Sequence, residues 1–190
     1  MDLDAIFEFS RYAARVRAAQ PELARRVLAE LDHPATIDAA EAQALAAESD
    51  ADGLAIALRK LRARVALAAM LRDLTGRAGL TEVCAAHTRL AEAAIDAAVD
   101  LHHRLLAHAH GEPLGAESGA PQRLIVVAMG KLGGAELNVS SDVDLVFVYP
   151  EDGATAGPRS IANQEFFDRL GRRVAGALAD VTAEGFVFRV

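Results

Sequence analysis

The residues that could do chemistry crowd into one short stretch, Gly130-Lys131-Leu132-Gly133-Gly134-Ala135-Glu136-Leu137-Asn138-Val139-Ser140-Ser141-Asp142-Val143-Asp144. Positions i and i+2 of a β-strand share a face, so Asp142 and Asp144 should project together while Val143 and Leu145 turn toward the interior. A carboxylate pair of this kind suits a hard cation. Magnesium takes oxygen ligands, accepts one or two carboxylates and completes its shell with water and phosphate oxygens. Asp142 and Asp144 are therefore the candidate catalytic and magnesium-binding residues, and the reaction class is phosphoryl or nucleotidyl transfer, in which positioning and charge neutralisation dominate. An Asp-x-Asp pair can also stand on a solvated strand edge or close a turn, and spacing alone leaves that alternative open.

Glycines in the same stretch permit a tight turn in which backbone N–H groups approach an anion, and Lys131 adds a point charge. Gly130, Lys131, Ser140 and Ser141 are the candidate nucleotide- and phosphate-binding residues. The two serines could instead satisfy the turn before the strand. Glu136 could assist or could be a solvated acid, and it is not placed in the catalytic set. This is not a Walker loop, which would need glycine where Ile125 stands and a hydroxyl where Leu132 follows Lys131.

The elements that must position these residues follow from periodicity. Leu124-Ile125-Val126-Val127-Ala128-Met129 reads as a short buried strand, and Val143-Asp144-Leu145-Val146-Phe147-Val148-Tyr149 as its neighbour. Upstream, residues 3 to 110 carry helical periodicity, with Phe9, Tyr12, Ala13 and Val16 on one stripe and Leu54, Leu58, Leu61 and Val65 on another. Breaks at Gln20-Pro21, Asp32-His33-Pro34, 49–53 and 76–79 divide this half into about five helices. The Gly- and Pro-containing stretch 111–122 reads as a linker. Ser160 should cap a helix in which Phe167, Leu170, Val174 and Leu178 share a face, and Gly185 precedes a last apolar strand over 186–190. The expected fold class is α+β: a helical bundle over 1–110, a linker over 111–122, and a small mixed sheet with helices over 123–190.

Composition narrows the function. The chain is 52% apolar with 5% aromatics and no Trp, which favours helices packed through small residues. A net charge of −7 argues against the broad basic surface that nucleic-acid binding requires. The start, Met1-Asp2-Leu3-Asp4, is acidic where a secretory signal would be basic, and no apolar run approaches about 20 residues. A cytoplasmic protein without membrane partners is expected. Cys84 stands alone and reads as a packed thiol in a reducing compartment. His102, His103, His108 and His110 are expected on the surface near a helix C-terminus, since their spacing lacks the same-face pair and third ligand of a zinc site.

The order of strand, glycine turn and Asp-x-Asp strand resembles the nucleotidyltransferase superfamily that includes DNA polymerase beta. Lys131 departs from the Gly-Ser or Gly-Gly usual there. The longer run from Met129 through Asp144 to Leu145 resembles the signature of glutamine synthetase adenylyltransferases. Similarity extends to Arg72-Asp73-Leu74-Thr75-Gly76, Tyr149-Pro150-Glu151-Asp152-Gly153 and Glu184-Gly185-Phe186-Val187-Phe188-Arg189-Val190. Such proteins carry two nucleotidyltransferase units, and Asn138-Val139-Ser140-Ser141 with the 186–190 wording resembles the N-terminal one. The resemblance implies a magnesium-dependent unit that removes AMP from a glutamine synthetase tyrosine by phosphorolysis, yielding ADP. Implied partners are glutamine synthetase, a PII-type signal protein, adenine nucleotide and orthophosphate. A third carboxylate should directly follow Arg189-Val190, so the expected sheet core is incomplete at the C-terminus and turnover weak or absent. The competing expectation is a binding module, with the helices docking glutamine synthetase or a PII-type protein and the sheet serving as scaffold.

Overall fold

The computed structural model describes residues 6, 7 and 9–190; the acidic start at residues 1–4 lies outside them. Helical backbone at Ile6, Phe7 and Phe9 precedes α1 (Arg11–Ala19), α2 (Pro21–Ala29), α3 (Ala39–Ala47), α4 (Ala51–Leu74) and α5 (Leu80–His110). Local chemistry sets their starts. The Ser10 hydroxyl accepts from Ala13 N, Pro21 opens α2, Asp38 and Glu41 form a reciprocal capping box, and Asp50 accepts from Gly53 N. Ser10 also resets the helical phase, so Phe9 does not join the stripe expected of it and stands 75% exposed, while Ala13 and Val16 are buried.

Leu54, Leu58, Leu61 and Val65 of α4 are all buried, and Ala91, Ala94 and Ala98 of α5 let the two long helices approach closely. The same core takes in Leu132, Leu137, Val143, Val187 and Phe188, together with Phe166, Phe167, Leu170, Val174 and Leu178 of α7 (Asn163–Ala179). The helical and sheet-bearing parts of the chain therefore share one interior. A second, smaller core packs Ile6, Phe7, Ala13, Val16, Ala24 and Val27 against Leu67 and Leu71 of α4.

Among the described residues the two sheets are two-stranded and antiparallel, where a mixed sheet was expected. β1 (Pro113–Gly115) pairs with β4 (Gly153–Thr155), so the stretch expected as linker contains a strand. β2 (Ile125–Met129) pairs with β3 (Asp144–Val148), with Ile125 opposite Val148 and Met129 opposite Asp144. Side chains alternate along this hairpin. Val126, Ala128, Leu145 and Phe147 pack on the core, whereas Ile125, Val127, Met129, Val146 and Val148 are between 41% and 48% exposed. β2 is thus not a buried strand, because helices cover one face only.

Three further expectations change. Residues 186–190 form no ladder strand; they run extended beside the head of β3, where Val143 N donates to Arg189 O at 2.9 Å. Ser160 does not cap α7: its hydroxyl donates to Thr155 O, and Ala162 precedes the helix without a side-chain cap. His102 and His103 are buried rather than superficial, because α7 covers this end of α5; His103 Nε2 lies 3.0 Å from Glu112 Oε2 and its ring stands edge-on to Phe166. Cys84 is a free, half-buried thiol on α5. Among the described residues, no helix is long and apolar enough to cross a membrane.

The turn between α4 and α5 is held by Arg72, which is 5% exposed. Its Nε pairs with Glu82 at 2.6 Å, and its other nitrogens donate to Leu31 O and Arg77 O. The hydrogen bond from Arg72 holds the Glu82 carboxyl below the usual glutamate pKa. A depressed acid pKa contributes stability above the unfolded-state value and loses it as pH falls toward the folded one. Glu82→Gln should cost about 2 kcal/mol at neutral pH, less than for a fully buried pair because Glu82 keeps 30% exposure. Thermal melts of parent and variant should converge as pH falls below about 4.3, the ordinary glutamate value.

Candidate functional site

The site is a loop that leaves β2 at Met129 and returns at the head of β3. Gly130 turns the chain with φ +55, and a single helical turn, α6 (Gly130–Gly133), closes when Gly134 N donates to Gly130 O. Ala135 then takes the left-handed conformation at φ 56, and Glu136 N donates to Lys131 O at 2.8 Å. Leu132 and Leu137 are buried, so the loop is pinned at two points while its polar residues face outward.

Between Leu137 and β3, the Asn138 side chain organises the turn. Its Oδ1 accepts from Ser141 Oγ at 2.9 Å and from Ser140 N at 3.2 Å, and Ser140 Oγ lies at 3.4 Å. Ser141 Oγ in turn accepts from Asn138 N at 3.3 Å and from Lys131 Nζ at 3.5 Å. The turn role weighed for the two serines is therefore present, and Ser141 also stands beside Lys131.

The next residues alternate as a strand requires: Asp142 is exposed, Val143 is 1% exposed, and Asp144 is exposed. Both carboxylates thus stand on the side away from the core. The register that sets Met129 opposite Asp144 also brings Gly130 against it: a Cβ on Gly130 would lie 3.0 Å from Asp144 Oδ2. Asp142 Oδ1 pairs with Arg189 Nε at 2.5 Å, and Arg189 Nη2 donates to Ser140 O at 3.0 Å. Arg189 is 63% exposed, so this pair adds little to stability but orients one oxygen of Asp142.

The structure groups the expected residues into Gly130 with Asp144, Lys131 with Ser141, and Ser140 with Ser141 around Asn138. Asn138 and Arg189 were not among the candidates. The first had a signal, since asparagine ahead of Ser-Ser bonds readily to backbone N–H groups downstream. The second had none in local spacing, because it arrives from the far end of the chain. As a metal site, the donor set is two carboxylates, and among the described residues no group of three His, Cys, Asp or Glu side chains is placed to hold a metal. A cation here would draw the rest of its shell from water or substrate oxygens, which fits magnesium and not a zinc site with its closed set of nitrogen and sulfur ligands.

The glutamate-ammonia ligase adenylyltransferase family model matches residues 1–190, the whole chain. The chain is 46% identical over 192 residues to the bifunctional glutamine synthetase adenylyltransferase/adenylyl-removing enzyme of Nitrosomonas europaea, an alignment covering 98% of the chain and 21% of that protein. It is 49% identical to the protein of the same description from Burkholderia mallei, covering 96% and 20%, and 51% identical to that of Pseudomonas aeruginosa, covering 75% and 15%. The chain therefore spans about a fifth of the length of the first two of these relatives.

The loop geometry can be tested by exchanging its two left-handed residues. Gly130→Ala forces a Cβ into a left-handed backbone and against Asp144, and should lower stability by about 1–2 kcal/mol in urea unfolding. Ala135→Gly removes a Cβ from the same kind of backbone and should shift the urea midpoint upward.

Proposed function

The chain belongs to the glutamate-ammonia ligase adenylyltransferase family, and from that premise we propose that it is the part of such an enzyme that removes AMP from a tyrosine of glutamine synthetase by phosphorolysis. Residues 123–190 would be the nucleotidyltransferase core. The observation that carries this reading is the Asp142-Val143-Asp144 alternation at the head of β3, set directly against the Gly130 turn. Relatives described as both adenylyltransferase and adenylyl-removing enzyme support the substrate. The choice of the removing reaction rests on the resemblance of 138–141 and 186–190 to the N-terminal unit.

Asp142 and Asp144 would hold magnesium, which supplies charge neutralisation at the phosphorus being transferred. Without a Cβ at Gly130, the Asp144 carboxylate lies against the turn, and a metal held there would bring phosphate oxygens to the same place. Lys131 presents its ammonium next to the Ser141 hydroxyl that Asn138 holds, and this ammonium would meet a phosphate of the nucleotide. In the reaction an orthophosphate oxygen forms a bond to the adenylyl phosphorus. The bond from that phosphorus to the tyrosyl oxygen breaks, the tyrosyl oxygen keeps the electron pair and takes up a proton, and ADP leaves. Glutamine synthetase, adenine nucleotide and orthophosphate are the partners of this step, and a PII-type signal protein is a regulatory partner of the same reading.

The test is ADP released from adenylylated glutamine synthetase in magnesium and orthophosphate, measured for the chain alone and for the chain continued past Val190. Release is expected from the continued chain. Asp142→Asn should lower it at least about a hundredfold and abolish magnesium-dependent ADP binding without changing the melting temperature. Binding of glutamine synthetase or a PII-type protein that ignores both magnesium and Asp142→Asn, with no ADP from either chain, would refute the enzymatic reading in favour of a binding module.

A further inference from the structure

Behind the site loop, a cavity of 220 Å³ lies between the chain end and α4, and Arg62, Ser140, Ser141, Phe186 and Arg189 line it. We propose that this cavity binds inorganic orthophosphate. The identity of the ligand rests on the phosphorolytic reading above, whereas its binding can be measured without turnover.

Arg62 carries the argument. It is a half-buried cation on α4, and nothing in the motif region of the sequence points to it. Its guanidinium carbon lies 5.1 Å from the centre of the Phe186 ring and 6.0 Å from that of Tyr12. Aromatic faces orient a guanidinium without neutralising it. Among the described residues, no carboxylate pairs with Arg62. A partly desolvated, unneutralised guanidinium on a cavity wall therefore favours an anion.

The opposite wall is complementary. Arg189 has five N–H donors; Nε engages Asp142 and Nη2 engages Ser140 O, which leaves donors for a ligand. The Ser140 hydroxyl, whose contact with Asn138 is a long 3.4 Å, adds a neutral donor able to meet a phosphate oxygen. Two guanidiniums with a hydroxyl suit a tetrahedral oxyanion, and guanidinium recognises phosphate through paired hydrogen bonds. Phe186 and Val139 supply apolar walls that strengthen those contacts. Arg189 touches Asp142 on one side and lines the cavity on the other, so an anion here is linked to the carboxylate pair through one guanidinium.

Equilibrium dialysis with radiolabelled orthophosphate tests the proposal on the chain itself, with bound Mn²⁺ measured in parallel by electron paramagnetic resonance. The parent should bind orthophosphate saturably without metal. Arg62→Gln should weaken that binding about tenfold or more, the loss expected for a charge-assisted contact, and leave Mn²⁺ binding unchanged. Arg62→Lys, which keeps a cation but not the paired geometry, should fall between them, and Arg189→Gln gives an independent second variant should Arg62→Gln melt early. Asp142→Asn should lose Mn²⁺ and keep orthophosphate. Orthophosphate bound by a chain that takes up no Mn²⁺ would support the cavity while sinking the metal reading. Equal orthophosphate affinity in the parent and in both guanidinium variants, or no binding by the parent, would overturn the proposal. So would an Arg62 dependence seen for AMP or ADP but not for free orthophosphate, since the cavity would then serve a nucleotide phosphate.

Discussion

Arg59 ties the two ends of this structure together. It lies on α4 at 3% exposure and donates to three backbone carbonyls: Ala55 O on its own helix, Gly185 O at 2.7 Å, and Asp180 O. Burial pulls its pKa below the ordinary arginine value, but an arginine so shifted still carries its charge. The three carbonyls are the compensation that makes a buried guanidinium tolerable. The consequence reaches the site. With the turn after α7 clamped to α4, Val187 and Phe188 enter the core, both of their N–H groups reach Leu178 O, and the backbone arrives at Val143 with Arg189 O in hydrogen-bonding position. The carboxylates on either side of Val143 are then held from two directions, by β2 pairing and by the chain end.

That arrangement explains what could be read from sequence. Helix boundaries were legible where a residue acts on its own backbone: Pro21 and Asp50 do their work within a turn, whereas the Asp38 capping box was not singled out. The outward placement of Asp142 and Asp144 around a buried Val143 was legible too, because strand alternation is a local property. Features that depend on a partner from elsewhere were not legible. His102 and His103 have an ordinary helix-end context and are buried only because α7 crosses them. Residues 113–115 look like linker until β4 is placed beside them. Ser160 has the right chemistry for a cap but meets Thr155 O first. Arg62 and Arg189 come from regions separated by most of the chain and line one cavity only when the fold is complete.

A two-stranded sheet has little stability of its own in water, and here one of its faces stays open. The position of β2 and β3 must therefore come from the covered face, where Val126, Ala128, Leu145 and Phe147 meet the core shared by α4, α5 and α7. The same core anchors the loop through Leu132 and Leu137, and the strand head through Val143. The helices thus help to fix the distance between the Gly130 turn and Asp144, and residues on both sides of 111–122 share that core. It follows that the open sheet face and the exposed carboxylates have one cause. The interior is built on one side of the hairpin, so what points to the other side, Asp144 and the Arg189-paired Asp142 included, faces outward.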